Sequence, residues 1–213
     1  MVQINKNNKD SRDMFAYEKK YWSRGIKNVA GVDEAGRGPL AGPVYAAAVV
    51  FDEGTVIGEI DDSKKLTDKK REKLFDIIIQ KAKYYNIVSV DEKTIDKINI
   101  LNATLSAFDK AITGLKVLPD VAIIDGNQSR GVSVECETIV KGDALSQSIA
   151  AASILAKVSR DRYMRKAAYD YPQYKFEKNM GYGTKEHMQA IKEYGPCVIH
   201  RKTFKGVKEY VKQ

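Results

Sequence analysis

The sequence has little of what would mark a secreted, membrane-spanning or thiolate-metal protein. Its only cysteines, Cys136 and Cys197, form no CxxC pair, so neither a disulfide framework nor a thiolate zinc site is indicated. No apolar run approaches the ~20 residues that a bilayer requires, and the first residues lack the apolar core of a secretory signal. We therefore expect a soluble, cytoplasmic protein with no membrane partner.

Linkers, repeats and an even charge distribution are also missing. No Gly/Ser-rich or Pro-rich stretch divides the 213 residues, which suffice for one large domain with its own core. Residues 157–213 carry 14 Lys and Arg against 6 Asp and Glu, whereas the rest of the chain carries 22 of each. The net charge of +8 therefore belongs to the C-terminal quarter, as is typical of polyanion-binding proteins. A solvated basic surface that aids solubility would give the same count.

The apolar pattern predicts strands first, and helices alternating with strands later. The predicted strands are 29–34, 44–51, 56–60, 84–90, 121–124 and 132–140. The predicted helices are 14–24, one that begins after an N-cap at Thr67, one through 98–112, and one from 143 to about 168. Adjacent early strands favour hairpins, and the later alternation favours parallel crossovers. The sequence therefore predicts an α/β fold with a central mixed sheet flanked by helices, followed by short helices and loops.

Four acidic residues stand at the ends of predicted elements. Asp33 and Glu34 end one apolar strand, and Asp125 ends another. Asp143 precedes a helix. Strand ends meet at one edge of an α/β sheet, and carboxylates that meet there need cations, for which oxygen ligands select Mg²⁺ or Mn²⁺.

Each acid also has an ordinary interpretation. Asp125-Gly126 is a good turn dipeptide, and Asp143 is a good helix N-cap. Because consecutive strand side chains point to opposite faces, Asp33 and Glu34 can share a site only if the strand bends there. The glycine-rich stretch that follows makes such a bend possible.

Two further features have weaker signals. The segment Gly36-Arg37-Gly38 offers backbone groups to a sugar or phosphate, although a tight hairpin turn explains its glycines equally well. It is not a P-loop, because no Gly-Lys-Ser/Thr follows. His187 and His200 have no HxxxH spacing and no nearby nucleophile, so we expect structural or phosphate-contacting roles rather than general-base catalysis.

Taken together and in order, the motifs of this chain resemble those of bacterial ribonuclease HII, a type 2 ribonuclease H. The stretches that carry the resemblance are GVDEAGRGPLAGPV at 31–44, DSKKL at 62–66, NILNAT at 99–104, IDGN at 124–127, KGD at 141–143, AASILAKV at 151–158 with RD at 160–161, GYG at 181–183 and HRKTF at 200–204.

The resemblance implies a ribonuclease H-like fold in three parts. An N-terminal extension with a short helix would cover residues 1–27, the catalytic domain 28–170, and a small helical, basic region 171–213. The catalytic and metal-binding residues that it implies are Asp33, Glu34, Asp125 and Asp143. Two Mg²⁺ or Mn²⁺ ions would bind there with substrate, activate a water and neutralise the leaving oxygen.

The resemblance also implies residues that contact the substrate. Gly36, Arg37 and Gly38 match the loop that senses the 2′-hydroxyl of a ribonucleotide. Tyr182 matches the tyrosine that stacks on the deoxyribose on the 3′ side of that ribonucleotide. Residues that match family motifs near the substrate backbone are Lys64, Lys65, Asn99, Asn102 and Ser153. Asp161 is expected to be structural, paired with Arg160 or with a helix neighbour.

The implied activity is endonucleolytic hydrolysis of RNA in RNA–DNA hybrids and cleavage 5′ to ribonucleotides embedded in duplex DNA, leaving a 3′-hydroxyl and a 5′-phosphate. We expect a monomer whose basic C-terminal quarter holds these duplexes. One alternative is another metal-dependent nuclease or strand-transferase of the same superfold, without a 2′-hydroxyl sensor. A second is a non-catalytic hybrid-binding module with vestigial acids.

Overall fold

The computed structural model describes residues 13–58, 60 and 66–211. Within those residues the chain forms a five-stranded sheet with helices on both faces. The strands are β1 (Val29–Ala35), β2 (Val44–Val50), β3 (Tyr84–Val90), β4 (Val121–Asp125) and β5 (Cys136–Ile139). The α-helices are α1 (Ala16–Trp22), α2 (Asp68–Lys81), α3 (Glu92–Thr113), α4 (Gln147–Asp170), α5 (Phe176–Asn179) and α6 (Lys185–Tyr194).

The sheet is mixed, in the order β3-β2-β1-β4-β5. β1 pairs with β2 and β2 with β3 in antiparallel fashion, whereas β1 with β4 and β4 with β5 are parallel. The predicted α/β fold with a central mixed sheet is confirmed. Because β1, β4 and β5 run in the same direction, their carboxyl ends lie at one edge of the sheet.

Strand periodicity explains how the two faces of the sheet are covered. Even-numbered residues such as Val32 pack with α3, and odd-numbered residues such as Ala47 pack with α2 and α4. α4 lies so close to the sheet at Gly31 that a Cβ there would overlap the Ser148 backbone. The alanines at 150–152 are fully buried, as expected for a small-residue helix packed closely on a sheet.

The first helix belongs to the same packed body. Tyr21 and Trp22 of α1 are buried in a cluster with residues of β1, β4, β5 and α4. The buried Glu18 carboxylate accepts hydrogen bonds from Ser146 Oγ at 2.7 Å and from the Ser148 backbone N–H at 3.0 Å. A carboxylate at this position compensates the positive end of the α4 dipole.

Beyond α4 the chain forms a second, smaller core, built from short helices and loops as predicted. Tyr174, Phe176, Ile191 and Val207 are buried there against the last turns of α4. The cluster also contains Ala41, from the loop between β1 and β2. The C-terminal region therefore packs directly against the start of the sheet.

Two predicted strands differ from the structure. The described residues of 56–60 form an irregular segment rather than a strand, because the Ile57 N–H donates to the Gln147 side chain at 2.8 Å and not to a neighbouring strand. Ile57 and Ile60 are nevertheless buried, which explains their apolar pattern. The strand predicted over 132–140 shrinks to β5, and Val140 is 66% exposed.

Two predictions about helices also need correction. α3 is not one regular helix, because Asn99 has φ 65° and ψ 165°. This break falls between Ile98 and Leu101, so the regular spacing does not continue across it and Leu101 is exposed. Asp143 is not the N-cap of α4, which is Ser146; Asp143 lies in a preceding 3₁₀ turn, Gly142–Ala144. The N-cap predicted at Thr67 is confirmed by its bond from the Lys70 N–H.

Candidate active site

The parallel strands bring the predicted acids to one edge of the sheet, which we call the acidic edge (Asp33, Glu34, Asp125 and Asp143). Val32 pairs with Ile124 in register, so Asp33 and Asp125 follow on adjacent strands. The Gly142 N–H donates to Asp125 Oδ1 at 2.6 Å, so the 3₁₀ turn that contains Asp143 lies against the end of β4.

Burial and mutual repulsion dominate the electrostatics of the acidic edge. Desolvation, then the negative charges of Glu34 and Asp125, hold the pKa of Asp33 well above its usual range. Desolvation also raises the pKa of Glu34, and Arg37, whose Nη1 lies 3.4 Å from Glu34 Oε1, opposes that rise. Ser153 on α4 lies close enough to lower the pKa of Asp33, as does the Glu34 N–H, which donates to Asp33 Oδ1 at 2.7 Å; both favour the charged form.

The bend expected between Asp33 and Glu34 is not a bulge in the strand pairing. β1 stays in register with β2 through Ala35, so the backbone alternates regularly at both acids. Asp33 faces α4, as its closeness to Ser153 shows. Glu34 is the penultimate residue of β1 and borders a cavity together with Ser153. Asp33 and Glu34 therefore reach the same edge of the sheet because β1 ends just after them, and not because β1 bends between them.

The donor chemistry of the acidic edge fits a hard divalent cation. All four side chains are carboxylates, whose oxygens are hard ligands, and the pKa of Asp33 is raised first by burial and then by the negative charges of Glu34 and Asp125. The carboxylates are not gathered into a finished ligand shell. Within residues 13–58, 60 and 66–211, no group of three or more His, Cys, Asp or Glu side chains is arranged to hold a metal ion.

The loop after the acids, residues 36–43, is held by a buried arginine. Arg201 is fully buried, and its guanidinium donates to the carbonyls of Gly36 at 2.5 Å, Arg37 at 2.8 Å and Gly42 at 2.8 and 2.9 Å. Gly36 has φ 98°, and a Cβ there would overlap the Arg160 side chain. The glycine is therefore required both by its backbone conformation and by the closeness of the arginine.

A second buried arginine joins this loop to the turn that carries Tyr182. Arg160 donates to the carbonyls of Ala41 at 3.1 Å, Pro43 at 3.2 Å and Met180 at 2.9 Å. The backbones of the two segments also bond directly, from the Leu40 N–H to the Gly181 carbonyl at 2.8 Å. We call residues 36–43 and 180–183 together the loop pair.

The ring of Tyr182 lies against the first of these segments. Its Cε1 atom is 3.6 Å from the point where a Cβ on Gly38 would stand, and the residue is 47% exposed. The glycine-rich loop and the tyrosine, which lie more than 140 residues apart in the sequence, are therefore in contact distance of each other. A half-exposed ring beside open backbone is a surface on which a sugar can rest.

A cavity of about 340 Å³ connects the acidic edge with the loop pair. Glu34 borders it at the acidic edge, and Tyr182 at the loop pair. Its cationic lining residues are Arg71, Lys157 and Arg160. A carboxylate, cations and an aromatic ring around one cavity are the groups expected where a metal, a phosphate and a sugar meet.

The remaining predicted residues have mixed outcomes. Lys64 and Lys65 lie outside the described residues. Asn99 and Asn102 hydrogen-bond within the break of α3, where Asn99 Oδ1 accepts the Asn102 N–H at 3.1 Å. Asp161 is buried and accepts from Lys157, its helix neighbour, at 2.7 Å, which confirms the structural role predicted for it.

The sequence analysis did not predict that Arg160 and Arg201 are buried; it named Arg160 only as a partner for Asp161, and Arg201 only within the basic HRKTF stretch. Arg160 had a visible signal, because it continues the buried helical stripe through Ala152 and Ala156 at intervals of four residues. Arg201 had none beyond its place in the HRKTF stretch. His187 and His200, predicted to be structural or phosphate-contacting, are buried against each other beneath the loop pair.

None of the helices in the described part of the chain is long and apolar enough to cross a membrane. The family model for ribonuclease HII matches residues 30–207. A curated ribonuclease HII from Caldicellulosiruptor bescii is 53% identical over 195 residues, which is 92% of this chain and 95% of its own length.

Several solved structures are also similar to this chain. The ribonuclease H2 from Pyrococcus horikoshii OT3 is 32% identical, with a TM-score of 0.73 over 86% of this chain and 96% of its own. Bst-RNase HIII, solved in complex with Mn²⁺, has a TM-score of 0.65 at 16% identity over 87% of this chain and 69% of its own, which bears on the fold alone. The fold is therefore ribonuclease H-like, as the motifs implied.

Proposed function

The chain belongs to the ribonuclease HII family and is an endoribonuclease, and from that premise we propose that it cuts on the 5′ side of ribonucleotides embedded in duplex DNA, as well as within RNA–DNA hybrids. The products would carry a 3′-hydroxyl and a 5′-phosphate. The observation that carries this proposal is the single cavity bordered by Glu34 at one end and Tyr182 at the other.

The acidic edge supplies the reaction centre of this proposal. Its four carboxylates, those of Asp33, Glu34, Asp125 and Asp143, would hold one or two Mg²⁺ or Mn²⁺ ions. When bound, such ions lower the pKa of a coordinated water and offset charge on the leaving oxygen. Groups of the chain itself orient two of the carboxylates. Ser153 lies next to Asp33, and the Gly142 N–H donates to Asp125 Oδ1.

The loop pair supplies recognition. A 2′-hydroxyl can donate to a carbonyl and accept from an N–H, and the backbone of Gly36, Arg37 and Gly38 offers both kinds of group. Tyr182 offers the flat face of its ring to the next sugar, which in this substrate is a deoxyribose without a hydroxyl. Lys157 and Arg71, at the cavity wall, are placed to contact the phosphates of the duplex.

Partners and setting follow from the substrate. We propose that the enzyme acts as a monomer in the bacterial cytoplasm, where ribonucleotide-containing duplex DNA is found. Size-exclusion chromatography with light scattering, with and without a bound duplex, tests the monomer. Lys64, Lys65, Asn99, Asn102 and Ser153 remain proposed contacts near the substrate backbone, and Ser153 has the additional contact with Asp33.

The decisive experiment uses one duplex with a single embedded ribonucleotide, a continuous RNA–DNA hybrid and an all-DNA duplex. We expect cleavage of the first two only, only with Mg²⁺ or Mn²⁺, and with mapped 3′-hydroxyl and 5′-phosphate ends. Cleavage of the all-DNA duplex would favour a nuclease without a 2′-hydroxyl sensor. Binding without cleavage in either metal would favour a non-catalytic hybrid-binding module.

The role of Tyr182 has its own test. Tyr182→Ala should lower cleavage of the single-ribonucleotide duplex far more than it lowers the melting temperature, because the ring is half-exposed. Tyr182→Phe should retain much of the activity if the ring face matters rather than the phenol oxygen. Equal single-turnover rates for the wild type and the Ala variant would refute the sugar-reading role.

A further inference from the structure

Beneath Tyr182 lies a buried histidine pair that the proposed reaction does not use. His187, near the start of α6, and His200 are 0% and 1% exposed, and their Nε2 atoms lie 3.0 Å apart. The rings of Tyr174 and Phe176 pack around both. Two imidazoles this close must share one proton between the facing nitrogens.

The outer contacts of the pair fix which nitrogen carries each proton. His187 Nδ1 lies 2.8 Å from the Tyr182 carbonyl, which can only accept, so this nitrogen carries a hydrogen. His200 Nδ1 accepts the Cys197 backbone N–H at 2.9 Å, so this nitrogen is bare. With both rings neutral, the remaining hydrogen must be on His200 Nε2 and point to the bare Nε2 of His187.

The result is a directional chain of hydrogen bonds. It runs from the Cys197 N–H through His200 and His187 to the carbonyl of Tyr182. Burial in apolar surroundings keeps the rings neutral, since desolvation lowers the pKa of His187 and lowers that of His200 to about 3. A second proton on His187 would set two hydrogens against each other between the Nε2 atoms, and a second proton on His200 would set its Nδ1 hydrogen against the Cys197 N–H.

The far end of this chain is anchored to the other half of the loop pair. His200 forms an antiparallel bridge with Ala41, flanked by bonds from the Gly42 N–H to the Ile199 carbonyl and from the Arg201 N–H to the Leu40 carbonyl, both at 2.9 Å. The histidine pair therefore connects residues 36–43, through side chains, to the peptide of Tyr182.

The turn at Tyr182 is held on its N-terminal side by the bond from the Tyr182 N–H to the Asn179 carbonyl at 2.8 Å, and the histidine pair adds a contact on its C-terminal side. Gly181 before it has φ 80°, Met180 has φ 48°, and Gly183 follows. The Tyr182 carbonyl accepts from the Thr184 N–H at 2.8 Å as well as from His187, so the imidazole fixes this peptide from outside its own turn. Small rotations of this peptide would move the ring off Gly38.

We propose that His187 and His200 are positioning residues for Tyr182, and that their hydrogen-bond chain sets how strongly the enzyme favours a single embedded ribonucleotide over a continuous RNA–DNA hybrid. The inference rests on the proposed sugar-reading role of Tyr182. Neither histidine touches the substrate in this proposal. Each acts through the Tyr182 carbonyl and the ring that this carbonyl orients.

The test measures the ratio of single-turnover rates on the single-ribonucleotide duplex and on the continuous hybrid. His187→Leu, which removes both hydrogen bonds, should lower this ratio roughly tenfold, because a displacement well under 1 Å already costs much of the rate. His187→Asn retains an amide N–H where Nδ1 stood and should keep the ratio within about twofold of the wild type. A purely structural role would not separate these two variants in this way.

A matched control lies on the same helix. Ile191→Val removes one buried methylene from the same core and has no bond to Tyr182. It should lower the melting temperature without changing the ratio. If Ile191→Val and His187→Leu change the ratio equally, or if His187→Asn fails to rescue it, the positioning role is refuted.

The same series separates this inference from the proposed function. If Tyr182→Ala changes the ratio and His187→Leu does not, only the positioning role fails. If Tyr182→Ala leaves the ratio unchanged, the sugar-reading role fails and the inference fails with it. Independently of activity, ¹⁵N spectra of the imidazoles should show the hydrogen on Nδ1 of His187 and on Nε2 of His200 at neutral pH. The opposite tautomers, or a doubly protonated ring, would refute the hydrogen-bond chain.

Discussion

The acidic edge and the loop pair border the same cavity, and burial disfavours charge at both, since it also lowers the pKa of Arg160 and lowers that of Arg201 to about 9; what differs is the partners of the buried charges. At the acidic edge, Asp33 and Glu34 are desolvated next to other carboxylates, and their pKa values rise. In the loop pair, the buried guanidinium groups of Arg160 and Arg201 point at backbone carbonyls. The acidic edge thus gains from an added cation, whereas the loop pair is complete without one.

The acidic edge is therefore expected to be stabilised by a bound cation, whereas the loop pair is stabilised by hydrogen bonds within the fold. Buried charges that repel one another weaken the folded state until a counter-ion binds. Buried charges with hydrogen-bond partners stabilise the folded state and hold loops in one conformation. Substitutions at the acidic edge should therefore mainly lower activity, and substitutions that release the loop pair should mainly lower stability.

The largest expected effect is on catalysis at the acidic edge. Asp125→Asn should lower the single-turnover rate by roughly a thousandfold, because it deletes a charge that would hold a divalent ion. The Asn Oδ1 can still accept the Gly142 N–H, so folding and hybrid binding should be largely retained. Rates at limiting Mg²⁺, together with binding by fluorescence anisotropy, check this. A rate near that of the wild type would contradict the assignment of Asp125.

At the loop pair the expected effect is on stability. Arg201→Lys should lower the free energy of unfolding by about 3 kcal/mol, since an ammonium cannot reach the carbonyls of Gly36, Arg37 and Gly42 with the fork geometry of a guanidinium. Lys202→Met changes the exposed neighbouring cation and is the control. Urea denaturation of both variants measures the difference. Equal losses would show that Arg201 does not brace the loop.

A smaller effect of opposite sign is expected for Asp33→Asn. In EDTA this variant should melt a few degrees higher than the wild type, because it removes a buried charge that its neighbours repel. Added Mg²⁺ should raise the melting temperature of the wild type but not that of the variant. A lower melting temperature for Asp33→Asn in EDTA would mean that the acidic edge is already balanced.

At neutral pH the smallest effect is that of His200, and it grows only as the pH falls. Burial lowers the pKa of His200 to about 3, whereas an unfolded histidine has a pKa of about 6.5. The unfolded chain therefore binds the extra proton first. The His200 contribution to stability is complete above pH ~6.5 and is lost progressively as the pH falls from about 6.5 to about 3. His200→Gln should show a shallower loss than the wild type in urea denaturation at several pH values. Parallel curves would refute the neutral state of His200.

Local signals in the sequence sufficed for most of the fold. The apolar run before Asp125 and the N-cap at Thr67 both predict elements that the structure contains. The failures came where tertiary contacts replaced local preferences. Residues 56–60 are apolar because Ile57 and Ile60 are buried, yet the backbone bonds to a glutamine side chain and not to a strand.

The positions of the acids and the contact between Gly38 and Tyr182 differ in how far the sequence predicts them. Asp33 and Asp125 end apolar strands, so parallel pairing alone brings them together. The closeness of Tyr182 to Gly38 depends on buried side chains near the C-terminus, and nothing in the local sequence distinguishes a buried Arg201 from an exposed arginine. A motif match could indicate these residues, but only the packing shows how they are held.

The bond between Glu18 and Ser146 spans 128 residues, so it also constrains the order in which the chain can fold. While the protein is being synthesised, α1 emerges from the ribosome first and must wait for the start of α4 before its carboxylate has a partner. Until then the apolar face that contains Tyr21 and Trp22 stays open to water and to chaperones. The first helix can therefore complete its buried contacts only after the start of α4 is in place.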